Sequence, residues 1–249
     1  MRIAGSVALV TGANRGIGEA LVRELLRRDA AKVYTAARDP ALLPNFGDGR
    51  AVPLQLDVTN AASCAAAGKA APDLSLLINN AGLSHFGRTL ADDDAEANLR
   101  AEMEVNVYGI LHTYRAFGET LGRNGGGAIV NILSAAALMN VPLLGTYSIT
   151  KAAALSLSQG LRALTAAQKT LVTAAIVGSV DTRMADGVPK EVQKATPAFV
   201  ARAVLDGVER NEEEIDTDPM SVDVRARLAR DPKKFERFMA RGLHILKKG

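Results

Sequence analysis

Short apolar runs recur along the chain, and helix-length stretches separate them. The runs occupy residues 7–10, 32–37, 51–55, 76–78, 128–132, 171–177 and 214–217. Their apolar character is continuous rather than alternating, as in strands that helices cover on both faces. The pattern therefore predicts seven strands in a mostly parallel sheet.

The stretches between these runs have the periodicity of amphipathic helices. They cover residues 18–28, 95–123, 147–168 and 197–211, and the last opens with Thr196 as a cap and Pro197 in its first turn. An alanine-rich patch at 61–71 predicts another helix, and the glycines at 125–127 predict a turn. Right-handed crossovers place such helices on both faces of the sheet. We therefore predict an α/β, doubly wound, Rossmann-like fold.

Composition supports a folded chain with a large core. Of the 249 residues, 48% are hydrophobic and 23% are charged, a ratio that argues against disorder. Open α/β sheets of this length form one unit, so we expect a single domain over residues 1–249. Within it, residues 218–249 form a C-terminal helical extension.

Charge and cysteine content narrow the function classes. The net charge is +3, and the densest basic stretch, residues 233–248, fits a solvated helix face better than an anionic partner. No motif for reading nucleic acid is present. Cys64 is the single cysteine, which excludes an intrachain disulfide or a thiolate zinc cluster and fits a reducing cytoplasm. Neither a signal peptide nor a membrane span is expected, and no metal site is predicted.

A glycine-rich loop joins the first strand to the first helix. It reads Thr11-Gly-Ala-Asn-Arg-Gly-Ile-Gly18, and such a loop lets the backbone approach a pyrophosphate at a helix N-terminus. A plain strand-to-helix turn explains this loop equally well when it is taken alone. If the loop binds a dinucleotide, its contact residues are Gly12, Asn14, Arg15, Gly16, Ile17 and Gly18.

The end of the second strand indicates which dinucleotide is bound. Selectivity for NAD usually needs an acid at this position, whereas a cation there accommodates the 2′-phosphate of NADP. Arg38 occupies the position, and Arg15 can approach the same phosphate from the glycine loop. Asp39 is the competing ribose ligand, but it precedes Pro40 and fits a helix cap. We therefore favour NADP over NAD.

Three residues further along suggest acid/base chemistry. Ser134 follows the fifth strand, and Tyr147 and Lys151 are four residues apart, so they share one face of a helix. An adjacent ammonium and an oxidised nicotinamide both lower the phenol pKa from about 10, which allows proton exchange with a carbonyl oxygen. Ser134 can stabilise charge on that oxygen. A tyrosine and a lysine one turn apart also occur on ordinary helix surfaces.

Taken together, these motifs resemble the compact branch of the short-chain dehydrogenase/reductase family over about residues 5–217. The motifs are TGxxxGIG, the sequence NNAG at residues 79–82, and Ser134-x₁₂-Tyr147-x₃-Lys151. The resemblance implies an oxidoreductase that transfers hydride between NADP(H) and a ketone, aldehyde or secondary alcohol. Tyr147 is then the acid/base, Lys151 also holds the nicotinamide ribose, and Asn106 holds a water that relays protons. Without the family, Asn106 would be a polar residue at a helix bend.

The resemblance also implies further cofactor contacts at the ends of strands. They comprise Asp57 and Val58 at the adenine, Asn80, Ala81 and Gly82 along the ribose, and Gly178, Val180 and Thr182 near the nicotinamide and phosphates. Without the family, Asp57-Val58 could be a cap and NNAG a turn. The family usually has Pro-Gly where this chain has Val177-Gly178, which puts the rigidity of that loop in question.

The family builds its substrate lid after Thr182, and here residues 183–195 form a short segment. This length suggests an open pocket for apolar or aromatic ketones and aldehydes, although its candidate residues could equally be core. These residues are Leu138, Met139, Val141, Leu143, Leu144 and Met184.

The resemblance implies a homodimer or homotetramer through helices 95–123 and 147–168. Apolar residues of the tail could cover the pocket or a neighbouring subunit, but a simply packed helix is the preferred interpretation. They are Phe235, Phe238, Met239, Leu243 and Ile245. Two other functions are the alternatives. One is a dehydratase or epimerase, which usually needs a larger sugar-nucleotide domain. The other is a non-catalytic NADP sensor, which usually lacks the tyrosine or the lysine.

Overall fold

A seven-stranded parallel sheet forms the centre of the molecule. The computed structural model describes the backbone of residues 1–246 and the side chains of residues 1–241. The strand order is β3-β2-β1-β4-β5-β6-β7, and every neighbouring pair is parallel. The strands are β1 (Val7–Thr11), β2 (Lys32–Ala37), β3 (Ala51–Gln55), β4 (Leu76–Asn79), β5 (Gly127–Ile132), β6 (Thr170–Ile176) and β7 (Glu214–Asp216). The predicted fold class is confirmed.

Helices connect the strands and cover the sheet. They are α1 (Gly16–Arg27), α2 (Ala61–Ala70), α3 (Ala95–Met103), α4 (Gly109–Arg123), α5 (Gly145–Thr165), α6 (Pro197–Glu209), α7 (Pro219–Arg230) and α8 (Pro232–Leu246). The prediction of one regular helix over 95–123 is wrong in detail, because a π-helical segment, Glu104–Tyr108, separates α3 from α4. This wider turn carries Asn106.

Alternation along the strands divides the core between the two faces of the sheet. In β1, Ala8 and Val10 belong to a core cluster that includes residues of α1 and α6, whereas Leu9 belongs to a second cluster with residues of α2, α4 and α5. All three side chains are fully buried. Both faces of the sheet are therefore apolar, which explains why the strands read as continuous apolar runs.

The C-terminal extension packs as two successive helices. Asp218 caps α7 through a capping box with Ser221. Phe235 is buried and stacks on Phe238 at 6.2 Å between ring centroids, and Arg227 of α7 lies 5.7 Å from both rings. These contacts fit the preferred interpretation of the tail as a helix packed on its neighbour. The side chains of Leu243 and Ile245 lie outside the described residues.

The order of the strands places one crevice at the carboxyl ends of the sheet. The chain winds outward from β1 in one direction through β2 and β3, and in the other through β4 to β7. Ligands of open α/β sheets bind where the winding reverses, here between β1 and β4. The loops after β1, β4, β5 and β6 all lie at this edge. Across residues 1–246, no helix has the length and apolarity needed to cross a membrane.

Candidate active site

The glycine loop is fixed to the end of β4 by a set of short hydrogen bonds. Thr11 Oγ1 accepts from the backbone N–H groups of Asn80 at 2.9 Å and Ala81 at 3.0 Å. The Asn80 side chain donates to the carbonyl oxygens of Thr11 and Gly12. A Cβ on Gly18 would lie 2.2 Å from the Gly12 carbonyl oxygen, so this position requires glycine. The loop is therefore a rigid cradle in the crevice.

The cradle ends at an uncapped helix N-terminus. Helix α1 begins at Gly16, and Arg15 at its N-cap has an extended backbone without a side-chain cap bond. Backbone N–H groups at such an end, together with the positive end of the helix dipole, bind phosphate groups. A Cβ on Gly16 would lie 3.1 Å from Thr182 Cγ2, so the loop after β6 reaches the cradle. The residues present fit a dinucleotide pyrophosphate.

Two arginines flank the cradle: Arg15 lies in the glycine loop after β1, and Arg38 directly follows β2. Arg15 and Arg38 are both exposed, and neither guanidinium pairs with a carboxylate in the part of the chain described by the structure. Arg38 lines a surface cavity of about 470 Å³ together with Asp57 and other polar side chains. Asp39 instead caps the short 3₁₀ turn Pro40–Leu42 by accepting from Ala41 N at 3.0 Å. The interpretation of Asp39 as a cap is confirmed.

The side chains of Asp57 and Val58 point in different directions. Asp57 Oδ1 accepts from the backbone N–H of Thr59 at 3.0 Å and from its hydroxyl at 2.7 Å. The Val58 side chain is nearly buried and packs against Gly109 at the start of α4. An adenine contact at Val58 therefore has to involve its backbone, whereas the side chain of Asp57 borders the cavity beside Arg38.

Ser134 and Tyr147 meet at the carboxyl end of β5. Ser134 Oγ accepts from Ala136 N at 3.1 Å, which leaves its O–H free to donate. Tyr147 lies in the first turn of α5 and is 8% exposed. Burial raises the pKa of the Tyr147 phenol well above its usual value, while the neighbouring Ser134 hydroxyl lowers this pKa in part. The direction is opposite to the expectation from Lys151, because burial of the ring dominates.

Lys151 lies one turn further along α5 and is 4% exposed. Its Nζ donates to the Ile132 carbonyl oxygen at 2.9 Å and lies 5.5 Å from the centre of the Tyr147 ring. Burial lowers the pKa of the Lys151 ammonium to about 8. A Cβ on Gly82 would lie 3.9 Å from Nζ, so the ammonium lies beside the NNAG turn. The structure thus brings Lys151, Tyr147 and the end of β4 together.

Asn106 joins the loop after β4 to helix α5. Its Nδ2 donates to the Leu83 carbonyl oxygen at 2.9 Å and to Thr150 Oγ1 at 3.0 Å, and its Oδ1 accepts from Leu83 N at 2.9 Å. These bonds hold the residue before Lys151 against the loop that follows Gly82. The side chain of Asn106 therefore positions the site, and the water relay stays a prediction.

The loop after β6 is held by an acid that sequence reasoning missed. Asp218 is 4% exposed, and its Oδ2 accepts from Gly178 N at 2.7 Å and from Thr217 Oγ1 at 3.0 Å. A Cβ on Gly178 would lie 2.3 Å from Asp218 Oδ1, so glycine is required at this position. Asp218 thus fixes the loop that lacks the usual proline. Val180 beyond it is 5% exposed and belongs to the core.

Two loops and the 183–195 segment border the reaction centre. Gly87 N donates to the Leu143 carbonyl oxygen at 2.9 Å, which joins the loop after β4 to the loop before α5. The ring of Phe86 packs on Gly187 of the 183–195 segment. Of the proposed pocket residues, Met184 is 47% exposed, and Leu138, Met139, Val141, Leu143 and Leu144 are half-buried. Leu138 also packs against the core.

Three further side chains of this region could not be assigned a role from the sequence. Thr11 lies inside the recognised loop motif, but the motif alone does not show that its hydroxyl accepts two backbone bonds. Glu102 and His85 lie 17 residues apart in the chain, and Glu102 Oε1 lies 2.9 Å from His85 Nδ1. The only sequence feature that could have indicated a role for Glu102 is its position as a charged residue on the face of α3 that points to the core. Among the described residues, no group of three or more His, Cys, Asp or Glu side chains could hold a metal ion.

Comparison with known proteins gives consistent matches. A family model described as short chain dehydrogenase matches residues 6–193. Galactitol 2-dehydrogenase (L-tagatose-forming) of Cereibacter sphaeroides is 34% identical over 197 residues, or 74% of each chain. A short chain dehydrogenase of Burkholderia cenocepacia, solved in complex with NADP, is 39% identical with a TM-score of 0.91 over 96% of this chain and 99% of that chain. A relative from Burkholderia phymatum, solved with NAD, is 25% identical with a TM-score of 0.79 over 91% and 94%.

Proposed function

The chain belongs to the short-chain dehydrogenase/reductase family and is an oxidoreductase by that membership, and we propose that it reduces a ketone or aldehyde with NADPH. The observation that carries this proposal is the meeting of Ser134, Tyr147 and Lys151 beside the glycine cradle. All three lie at the crevice edge of one sheet. Reduction is the favoured direction because the cofactor we propose is NADPH.

The proposed chemistry assigns one task to each polar side chain. When bound, the nicotinamide supplies the hydride that the carbonyl carbon receives. The Tyr147 phenol donates its proton to the carbonyl oxygen, and its raised pKa keeps it protonated at neutral pH. The free O–H of Ser134 donates to the same oxygen and stabilises its developing charge. The Lys151 ammonium provides positive charge beside the phenol that loses its proton.

We propose that NADP is preferred over NAD. Arg15 and Arg38 supply two unpaired cations at the place where a 2′-phosphate would lie, and Asp39 is occupied as a cap. The relatives include one solved with NADP and one solved with NAD, so family membership alone does not select the cofactor. The remaining proposed contacts are Gly12, Asn14, Gly16, Ile17, Gly18, Asp57, Val58, Asn80, Ala81, Gly82, Gly178, Val180 and Thr182.

The proposed substrate has an apolar or aromatic body next to its carbonyl group. Half-buried Leu138, Val141 and Leu143, together with the exposed Met184, supply apolar surface on one side of the reaction centre. A galactitol dehydrogenase among the relatives acts on a polyol. A test panel therefore has to contain ketoses as well as apolar ketones.

Assembly and compartment are also proposals. We propose a homodimer or homotetramer through α3–α4 and α5, where Tyr108, Ile149 and Leu164 are 43%, 38% and 67% exposed. We propose a reducing cytoplasm because Cys64 is a free cysteine, and burial raises the pKa of its thiol to about 11.

The test is consumption of NADPH in the presence of a carbonyl panel. We expect turnover by the wild-type protein and a loss of roughly 100-fold or more in kcat for Tyr147→Phe, which lacks the transferable proton. Binding of NADPH, followed by its fluorescence, should persist in this variant because the hydroxyl is a small part of the cofactor site. Binding without turnover by the wild-type protein would favour a non-catalytic sensor. Release of a dehydrated or epimerised product without net NADPH consumption would favour the other alternative.

A further inference from the structure

A buried carboxylate lies beside the reaction centre and has no part in the chemistry proposed above. Glu102 is fully buried, at the end of α3 and one turn before Asn106. Its Oε2 has no hydrogen-bond partner among the residues that the structure describes. The charge of Glu102 is close enough to Tyr147 to raise the pKa of the phenol. Burying a carboxylate is costly, so its position next to the site needs an explanation.

The other oxygen of Glu102 holds His85. Oε1 accepts from the backbone N–H of His85 at 2.8 Å and lies 2.9 Å from its Nδ1. Because this oxygen already accepts a backbone bond, it acts as an acceptor toward the ring as well. Nδ1 therefore carries the hydrogen, and in the neutral ring Nε2 is left with a free lone pair. The two bonds fix both the backbone and the ring orientation of His85.

His85 lies in a loop that is anchored to the site on both sides. Before it, Leu83 is bound through its N–H and its carbonyl to Asn106. After it, Phe86 packs on Gly187, and Gly87 bonds to the loop before α5. The His85 side chain is 33% exposed, so part of its ring is accessible, in a loop that contacts both the loop before α5 and the 183–195 segment.

We propose that His85 is a specificity residue, and that its Nε2 accepts a hydrogen bond from a hydroxyl group beside the reacting carbonyl of the substrate. Glu102 is its positioning residue, since it acts on the substrate through the imidazole. The substrate class is then a hydroxyketone, whose apolar part lies on the side of Leu138 and Val141. One oriented polar group in an otherwise apolar pocket is a common way to select a ligand. This inference rests on the proposed reductase function.

The test compares two ketones that differ only in this group. α-Hydroxyacetophenone and propiophenone carry a hydroxyl or a methyl at the same position, so the ratio of their kcat/KM values reports on the hydroxyl. We expect a wild-type ratio of about 10 or more in favour of the hydroxyketone. His85→Phe keeps a ring and removes the acceptor, so its ratio should fall to within about threefold of unity. A general loss of activity cancels in the ratio.

Glu102→Gln keeps the shape of the positioning side chain and removes its charge. We expect a ratio reduced about threefold or more through a higher KM for the hydroxyketone, whereas a purely structural role would lower both kcat/KM values equally. Glu104→Gln, an exposed neighbour two residues away, is the matched control and should keep the wild-type ratio. Wild-type turnover of both ketones at equal kcat/KM, or an unchanged ratio in His85→Phe, would overturn the inference and leave the reductase function standing. Failure of the wild-type protein to reduce any carbonyl compound would overturn both this inference and the proposed reductase function.

Discussion

Lys151→Met should make the folded protein more stable at neutral pH while it removes the proposed activity. Burial lowers the pKa of Lys151 from 10.5 to about 8, so the folded state disfavours the ammonium relative to the unfolded chain. A difference of about 2.5 pKa units corresponds to about 3 kcal/mol. Methionine has a similar length and no charge, but it loses the bond to the Ile132 carbonyl, worth about 1 kcal/mol. The expected net gain at pH 7 is about 2 kcal/mol.

The pH dependence of this gain identifies its cause. Below pH 8 the lysine is charged in both states, and the cost of burying it is fully present. Between pH 8 and 10.5 the unfolded chain holds a proton that the folded chain has released, so the wild-type free energy of unfolding rises with pH. The advantage of Lys151→Met should therefore shrink over this window and vanish near its upper end.

The assay is urea unfolding followed by circular dichroism at pH 7 and pH 9.5. In thermal unfolding, the gain corresponds to a rise in Tm of roughly 4–8 °C at pH 7. Lys69→Met is the control, because Lys69 is exposed on α2 and should show neither the gain nor its pH dependence. The reasoning is refuted if Lys151→Met is less stable than the wild-type protein at pH 7, or if its advantage is the same at both pH values.

Two further substitutions test the cofactor site. Arg38→Asp should raise KM for NADPH by about 10-fold or more relative to KM for NADH, since a charge-assisted bond to the 2′-phosphate is replaced by repulsion. An unchanged ratio of the two KM values would contradict the NADP assignment. Gly18→Ala places a Cβ 2.2 Å from a backbone carbonyl and should weaken NADPH binding and cost about 1–3 kcal/mol of stability, measured by fluorescence titration and urea unfolding. Gly160→Ala faces open space on α5 and should stabilise the protein by about 1 kcal/mol, so equal effects at the two glycines would contradict the cradle geometry.

Much of the fold could be predicted from the sequence because the five inner strands, β2, β1, β4, β5 and β6, are buried on both faces, whereas the edge strands β3 and β7 are partly exposed. Burial on both faces produces continuous apolar runs, and all seven predicted runs are strands. The π-helical segment at Glu104–Tyr108 could not be predicted, since one added residue in a helical turn barely disturbs the apolar periodicity. In the described part of the tail, α7 and α8 are helices and Phe235 is buried.

The sequence predicts the geometry of the candidate site only where its residues are close in the chain. Tyr147 and Lys151 are one helical turn apart, so local spacing determined that they share a face. Side chains that act across long separations could not be found in this way. Asp218 reaches Gly178 from 40 residues away, and Glu102 reaches His85 from 17. The rise that burial causes in the pKa of Tyr147 could not be predicted either, because the degree of burial depends on tertiary packing.

The most direct test of the proposed function is isotope transfer from NADPH that carries deuterium at both C4 positions of the nicotinamide, so that either face delivers label. The wild-type protein is incubated with this cofactor and a ketone that it reduces, and the alcohol is analysed by mass spectrometry. We predict one deuterium on the carbinol carbon and no labelled alcohol above background with Tyr147→Phe. Unlabelled alcohol from the wild-type protein, or equal yields of labelled alcohol from both proteins, would contradict direct hydride transfer with Tyr147 as the proton donor.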